Sequence, residues 1–173
     1  AIEPGVAKSW EVSEDGKTYT FHLNPDAKWS NRTPVTAKDF VYSYKRILSP
    51  KLGSEYSYLP WCIENAEAYN KGAVTDFEKV GVKTIDDRTL EVKLAYPAPY
   101  FLSMQMHNAW FPVLQSNVEQ FGKMDDRQSS WILAGNMVSN GPFKLVEWKP
   151  NEIIRVVRNE HYWDAKNVKL DEI

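Results

Sequence analysis

The stretch WSNRTPVTAKDFVYSYKR (Trp29–Arg46) contains the strongest local structure signal in the sequence. Thr36 is a favourable N-cap residue, and Asp39 three positions later has the spacing of a capping box, with an anion near the helix N-terminus. The apolar residues that follow recur at helical intervals: Phe40, Val41, Tyr44, Ile47 and Leu48. One apolar stripe, basic residues in the last turn and Pro50 just beyond predict an amphipathic helix that begins after Thr36.

The residues before this helix predict a β-hairpin. In SWEVSEDGKTYTFHL (Ser9–Leu23), apolar and polar residues alternate on both arms, and Asp15-Gly16 supplies a turn. The period of two places five residues on one face that we expect to be buried: Trp10, Val12, Tyr19, Phe21 and Leu23. The loop NPDAKWSNRTP (Asn24–Pro34) then leads to the capped helix.

The rest of the chain alternates between helical and strand patterns. In chain order we expect a helix in PWCIENAEAYNKG (Pro60–Gly72), a hairpin in VGVKTIDDRTLEVKL (Val80–Leu94), a short helix in PYFLSMQMH (Pro99–His107), a helix capped by Ser116 and Glu119, and two strands around a turn at Pro150-Asn151. No repeat or flexible linker separates these segments. We therefore expect a sheet-rich α+β unit with antiparallel hairpins and capped amphipathic helices.

Composition narrows the possible functions. The 21 Lys and Arg residues are interspersed with 23 Asp and Glu, so no basic footprint for nucleic acid is visible. Cys62 is the only cysteine, which rules out an internal disulfide and indicates a buried structural thiol. Aromatic residues make up 13% of the chain, and we expect most of them in the core and some at a ligand site.

A search for catalytic chemistry finds none. The three histidines, His22, His107 and His161, lie far apart and have no metal-ligand spacing. The acidic pairs Asp86-Asp87 and Asp125-Asp126 fall where turns are expected, and no nucleophile elbow or phosphate-binding loop occurs. We therefore predict no catalytic residue, no metal site and no cofactor.

SNGPF (Ser139–Phe143) is a more informative motif. Asn-Gly followed by Pro predicts a turn with exposed backbone amides just before a strand. Such a turn is either purely structural or brings backbone donors close to a ligand, and the motif alone leaves both roles open.

Two long stretches resemble one protein family, the extracellular solute-binding proteins of family 5, which include the oligopeptide-, dipeptide- and nickel-binding components of ABC importers. They are PGVAKSWEVSEDGKTYTFHLNPDAKWSNRTPVTAKDFVYSYKRIL (Pro4–Leu48) and GNMVSNGPFKLVEWKPNEIIRVVRNEHYWD (Gly135–Asp164). DFVYSYKRILSP and NMVSNGPFKL are most similar to the oligopeptide-binding members. Two positions depart from the family pattern, with Asn24 in place of a basic residue and Arg32 in place of a glycine.

The resemblance implies an α/β periplasmic-binding-protein-like fold of type II with three lobes. Because family members are several hundred residues long, it implies a fragment, with residues 1–137 in the small β-rich lobe and residues 138–173 in strands that lead back into the large lobe. The implied function is that of a receptor, not an enzyme. It would close over an extended oligopeptide in an inter-lobe cleft and deliver it to the permease subunits of an ABC importer. We expect a monomer that binds no nucleic acid, located in the periplasm or lipid-anchored at the surface of a bacterium.

The resemblance also implies ligand-contacting positions. Tyr56 and Tyr58 in EYSYLPW are the first candidates, as aromatic walls, and Val138, Ser139 and Asn140 in MVSNGPF are the second, as a backbone shelf. A structural role remains open for each of them. Two other functions also remain open. The same fold could bind another solute, such as a dipeptide, a nickel chelate, a murein peptide or a sugar, or the chain could be a carbohydrate-binding accessory module, which would need an exposed row of tryptophans.

Overall fold

The structure is a computed structural model that describes residues 2–173. The strands are β1 (Ala7–Val12), β2 (Thr18–Leu23), β3 (Val82–Asp86), β4 (Thr89–Lys93), β5 (Phe143–Lys149) and β6 (Ile153–Arg158). The α-helices are α1 (Ala37–Ile47), α2 (Ala66–Asn70), α3 (Phe101–Met104) and α4 (Gln115–Gln120). Single 3-10 turns lie at Leu59–Cys62, Phe77–Lys79, Asn108–Trp110, Ser130–Ile132 and Ala165–Asn167. The chain contains both helices and strands, and the strands pair in antiparallel fashion, which confirms the expectation of a sheet-rich α+β unit.

The chain forms two compact units. The first comprises the chain up to Asn24 together with Thr36–Pro112, and the second comprises Pro25–Val35 together with Val113–Ile173. These units describe packing within the 173 residues. The predicted division after residue 137 concerns the lobes of the full-length protein and stays a prediction.

A four-stranded antiparallel sheet in the order β1-β2-β4-β3 forms the centre of the first unit. Both predicted hairpins are present, and the pairing of β2 with β4 joins them into one sheet. Tyr19 lies opposite Val92, and Phe21 lies opposite Leu90, so the buried faces of the two hairpins are continuous. This face is covered by buried residues from the helices and turns, among them Tyr44, Leu48, Ile63, Phe77, Phe101 and Trp110.

The expected buried face of the first hairpin is correct for β2 and wrong at the end of β1. Tyr19, Phe21 and Leu23 are buried and Trp10 is half-buried, but Val12 is 46% exposed. Val12 does lie opposite Tyr19 on the apolar face. It remains exposed because β1 is an edge strand of this sheet and Val12 is its last residue.

Helix α1 follows the prediction closely. The Thr36 backbone amide donates to Asp39 Oδ2 at 2.7 Å, which is one half of a capping box. Tyr44 and Leu48 of the apolar stripe are buried, and the other stripe residues pack against the core while half-buried. The helix therefore attaches to the sheet along the face that the sequence indicates.

Cys62 lies in this core, as predicted. Its side chain is 4% exposed, and burial raises the pKa of the thiol to about 11. Three aromatic rings pack nearby in the same core, with the centroid of Phe101 4.7 Å from that of Tyr19 and 5.4 Å from that of Trp110. Most of the buried aromatic surface thus serves packing.

The helix predicted over Pro60–Gly72 is wrong as a continuous element. The structure has a 3-10 turn, Leu59–Cys62, and then the short helix α2. Asn65 separates them because its φ of 60° is in the left-handed region, which an α-helix does not accommodate. The Asn65 side chain compensates by donating to the Lys79 carbonyl at 2.7 Å.

The predicted cap of α4 is also wrong. The helix begins at Gln115 with Leu114 at the N-cap, two residues earlier than the expected N-cap at Ser116. Glu119 does not reach back to an N-cap amide as a capping box would require. Its carboxylate instead accepts from Gln115 Nε2 at 3.2 Å, across one helical turn.

In the second unit, β5 and β6 form the predicted hairpin. Asn151 occupies the turn with a φ of 61°, a conformation that asparagine tolerates better than most residues. Residues 171–173 pair along the other side of β6, with the Val156 amide donating to the Ile173 carbonyl at 2.9 Å. Trp29, from the loop before α1, is 1% exposed.

Candidate functional site

Two exposed tyrosines lie on the turns between α1 and the first 3-10 segment. The Tyr56 amide donates to Ser54 Oγ at 3.3 Å, and the Tyr56 carbonyl accepts from the Leu59 amide at 3.1 Å. These bonds turn the backbone tightly, so Tyr56 and Tyr58 both point away from the core. They are 46% and 53% exposed, with ring centroids 6.5 Å apart.

His107 joins these tyrosines from a distant part of the sequence. Its ring centroid lies 4.8 Å from that of Tyr56, at an interplanar angle of 58°. Its Nδ1 accepts from the Ala109 amide at 3.1 Å, which orients the imidazole. Near it in sequence, Met106 and Phe111 are 73% and 53% exposed. We call Tyr56, Tyr58 and His107 the aromatic cluster.

The aromatic cluster is suited to binding by contact area. Within residues 2–173, neither the Tyr56 hydroxyl nor the Tyr58 hydroxyl has a hydrogen-bond partner, so both are available to a ligand. Tyrosine side chains have few rotatable bonds and lose little entropy when a ligand covers them. Ring faces with free hydroxyls at their edges accept varied ligand side chains.

In the predicted backbone shelf, two of the three backbone amides already donate hydrogen bonds within the protein. The Val138 amide donates to Asn117 Oδ1 at 3.2 Å, and the Ser139 amide donates to Ser30 Oγ at 3.2 Å. The Ser30 amide in turn donates to the Ser139 carbonyl at 2.7 Å. These two amides are therefore already satisfied, and they position the segment before β5 against the loop that contains Ser30.

Asn140 differs from its neighbours. Its side chain is half-buried, and in the part of the chain that the structure describes it makes no hydrogen bond through either its backbone amide or its side chain. Among the three shelf residues, Asn140 is thus the one whose backbone amide and side-chain amide are both available to a ligand. Ser139 Oγ donates to the Phe143 carbonyl at 3.0 Å, which leads the chain into β5.

The two groups of predicted site residues belong to different compact units. Tyr56 and Tyr58 lie together in the first unit, whereas Val138, Ser139 and Asn140 lie in the second. Sequence reasoning did not identify His107 as a neighbour of Tyr56, because the two are far apart in the chain and no pattern connects them.

Among residues 2–173, no group of three or more His, Cys, Asp or Glu side chains is arranged to hold a metal ion. His22 Nε2 lies 3.2 Å from Glu11 Oε1 on the polar side of the sheet, and His161 Nε2 accepts from Arg32 Nε at 3.1 Å. Both contacts are between exposed side chains and give these histidines structural partners.

Arg32 departs from the family pattern at a position with an unusual backbone. Its φ is 76°, in the left-handed region that favours glycine. The hydrogen bond from Arg32 Nε to His161, a residue distant in the sequence, is a contact that a glycine could not make. The side chain is exposed, so the departure does not disturb the core.

The tryptophans do not form the exposed row that a carbohydrate-binding surface would need. Trp29 and Trp110 are buried, and of the seven only Trp148 is more exposed than half-buried, at 49%. This arrangement argues against a carbohydrate-binding accessory module. No helix among residues 2–173 combines the length and the apolar character needed to cross a membrane.

Comparison with known proteins gives consistent matches. A family model described as "Bacterial extracellular solute-binding proteins, family 5 Middle" matches residues 1–173. The dipeptide-binding protein DppE of Bacillus subtilis is 46% identical over 99% of this chain, which corresponds to 30% of DppE. The periplasmic oligopeptide-binding protein OppA of Escherichia coli is 42% identical over 98% of this chain, again 30% of that protein.

A solved structure matches as well. The substrate-binding domain of an oligopeptide ABC transporter from Bacillus anthracis aligns with a TM-score of 0.91 and 45% identity, covering 98% of this chain and 32% of that chain. The 173 residues therefore span about a third of the length of the relatives that they match.

Proposed function

Because this chain belongs to the bacterial extracellular solute-binding proteins of family 5, we propose that the protein to which it belongs is the peptide-binding receptor of an ABC importer. The observation that carries the proposal is the match over the whole chain to relatives whose names specify peptides. The receptor would enclose an extended oligopeptide between lobes of the full-length protein and pass it to the permease subunits.

The fold is that of the type II periplasmic binding proteins, as the sequence resemblance implied. The family consists of solute-binding proteins, and we infer that this member performs no catalysis. Its place of action would be the periplasm or, with a lipid anchor, the cell surface. We further infer that it binds no nucleic acid, since the charges of this chain are interspersed. We also propose that it works as a monomer.

The aromatic cluster is the surface that we assign to ligand contact in the first unit. The support is the joint exposure of Tyr56 and Tyr58, the contact between Tyr56 and His107, and the two unpaired hydroxyls. A receptor that accepts many peptides needs side-chain contacts that do not depend on one shape, and stiff aromatic faces provide them.

At the second group we assign ligand contact to Asn140, whose amide groups have no partner among the described residues. Val138 and Ser139 would contribute by holding that segment in place, since their amides are occupied by Asn117 and Ser30. An asparagine side chain offers both a donor and an acceptor, which suits a peptide backbone.

Native mass spectrometry of the full-length protein, purified without denaturation and followed by ejection of bound ligand, tests the proposal. A ladder of masses that fits short peptides is the expected result, and it also gives the range of peptide lengths. A single non-peptide mass or a metal complex would refute the assignment of peptides as cargo while leaving the family membership intact. This experiment also decides among the other solutes that the fold could bind.

A further inference from the structure

Asn140 is the only asparagine in the sequence that is followed by glycine. The side chain of an asparagine loses ammonia when the backbone nitrogen of the next residue attacks its Cγ. A glycine in the next position favours this reaction, because it has no β-carbon to obstruct the approach and its backbone adopts conformations closed to other residues.

The surroundings of Asn140 and Gly141 leave the reacting groups free. In the described part of the chain, neither the Gly141 nitrogen nor the Asn140 side chain takes part in a hydrogen bond. A β-carbon placed on Gly141 would meet no other atom within 4 Å. Both residues are half-buried, so water reaches the segment.

Three other asparagines of the second unit have side-chain amides that donate hydrogen bonds. Asn117 Nδ2 donates to the Asn136 carbonyl at 2.8 Å, and Asn136 Nδ2 donates to the Ser130 carbonyl at 2.9 Å. Asn159 is fully buried, and its Nδ2 donates to the Gly141 carbonyl at 2.8 Å. The side-chain amides of these three residues are therefore engaged in hydrogen bonds, whereas that of Asn140 is not among the described residues.

We propose that Asn140 is a site of spontaneous deamidation in the folded protein, a property that does not depend on the cargo or the function. The Gly141 nitrogen forms a bond to Asn140 Cγ, and the bond from Cγ to Nδ2 breaks. Nδ2 leaves as ammonia and takes the proton that the Gly141 nitrogen gives up, which leaves a succinimide ring. Water then opens the ring at either carbonyl and gives aspartate or isoaspartate at position 140, with no change of oxidation state.

The two products have different consequences for the structure. Aspartate adds one negative charge where the neutral amide was. Isoaspartate also routes the backbone through the β-carbon, which adds one atom to the chain between two held points. These points are the Ser139 carbonyl, bonded to the Ser30 amide at 2.7 Å, and the Gly141 carbonyl, bonded to Asn159. We therefore expect the isoaspartate form to strain the start of β5 and to unfold more easily than the aspartate form.

Trypsin provides a direct assay. Cleavage after Arg127 and Lys144 releases residues 128–144, a peptide that contains both Asn136 and Asn140. The full-length protein is incubated at mildly alkaline pH, either folded or in urea, and the digest is sequenced by mass spectrometry with fragmentation that separates aspartate from isoaspartate. Asn136 serves as the internal control in the same peptide.

We expect Asn140 to convert in the folded protein at nearly the rate found in urea, and Asn136 to remain intact while the protein is folded. Gly141→Ala should slow the conversion roughly tenfold or more through the restricted backbone. The open space at Gly141 allows this variant to fold, which circular dichroism verifies. Conversion of Asn140 only after unfolding, or an unchanged rate in Gly141→Ala, would overturn the proposal.

Discussion

Truncation of Tyr56 is the perturbation that tests the proposed ligand surface most directly. The side chain is 46% exposed, in contact with His107, and its hydroxyl has no partner within residues 2–173. If a bound peptide covers this exposed part, the Tyr56→Ala variant loses most of that contact and keeps the buried remainder of the loop. We therefore expect weaker peptide binding by a protein that is otherwise folded.

The magnitude follows from the exposed area. A tyrosine side chain has about 200 Å² of surface, so covering the exposed 46% removes roughly 90 Å² from water. At about 25 cal/mol per Å², this is worth about 2 kcal/mol when the cover is complete. A free energy of that size corresponds to a loss of affinity of roughly 30-fold.

Isothermal titration of the full-length protein with a peptide identified by mass spectrometry measures the effect. Tyr96→Ala is the matched control, because Tyr96 belongs to the same unit and is 48% exposed but lies outside the aromatic cluster. Tyr56→Phe separates ring area from the hydroxyl, and we expect it to retain most of the affinity. Equal losses in Tyr56→Ala and Tyr96→Ala, or no loss in either, would refute the assignment of the aromatic cluster to ligand contact.

Three further predictions concern stability and are measured by urea denaturation. Gly81→Ala should lower the free energy of unfolding by about 3 kcal/mol or more, because the added β-carbon would lie 2.4 Å from the Lys93 carbonyl oxygen and overpack the site. Gly5→Ala is the control and should be nearly neutral, since its β-carbon would meet no atom within 4 Å. Asp39→Ala should cost about 1 kcal/mol because the N-cap amide loses its acceptor, and Asp39→Asn should recover part of that loss. The pKa of Cys62 is raised from 9.0 to about 11 by burial, so the folded state holds this proton more tightly than the unfolded chain does. Stability should therefore fall as the pH rises from about 9 to about 11, and it should fall less steeply in Cys62→Ala; identical slopes would contradict this reasoning.

The elements that could be predicted from the sequence are those whose signals are local. The β2 strand and α1 are examples, since alternation fixes the face of the strand and the spacing of Thr36 and Asp39 fixes the start of the helix. The failures have non-local or backbone causes. Val12 has the correct parity but lies on an edge strand, which depends on the order of strands in the sheet. Asn65 interrupts a helical pattern because its backbone is in the left-handed region, and its side chain bonds to the Lys79 carbonyl of a later segment.

The candidate site likewise has features that local sequence predicts and features that depend on tertiary structure. The exposure of Tyr56 and Tyr58 is compatible with their place in a turn-rich segment, but the contact with His107 depends on tertiary structure. At the second group, SNGPF predicted a turn before a strand, and β5 does begin at Phe143. The hydrogen bonds to Ser30 and Asn117 that occupy the neighbouring amides come from segments with no sequence signal for this pairing.

The local order around the aromatic cluster explains why exposed aromatic residues are compatible with a stable fold. Tyr56 and Tyr58 lie between buried anchors, Leu52 on one side and Pro60 on the other, and the backbone between them is turned by its own hydrogen bonds. The conformational entropy of these residues is therefore lost when the protein folds, and ligand binding does not have to order them again. This arrangement suits a receptor for varied peptides, because a contact surface that is already ordered contributes to affinity without requiring a particular ligand sequence.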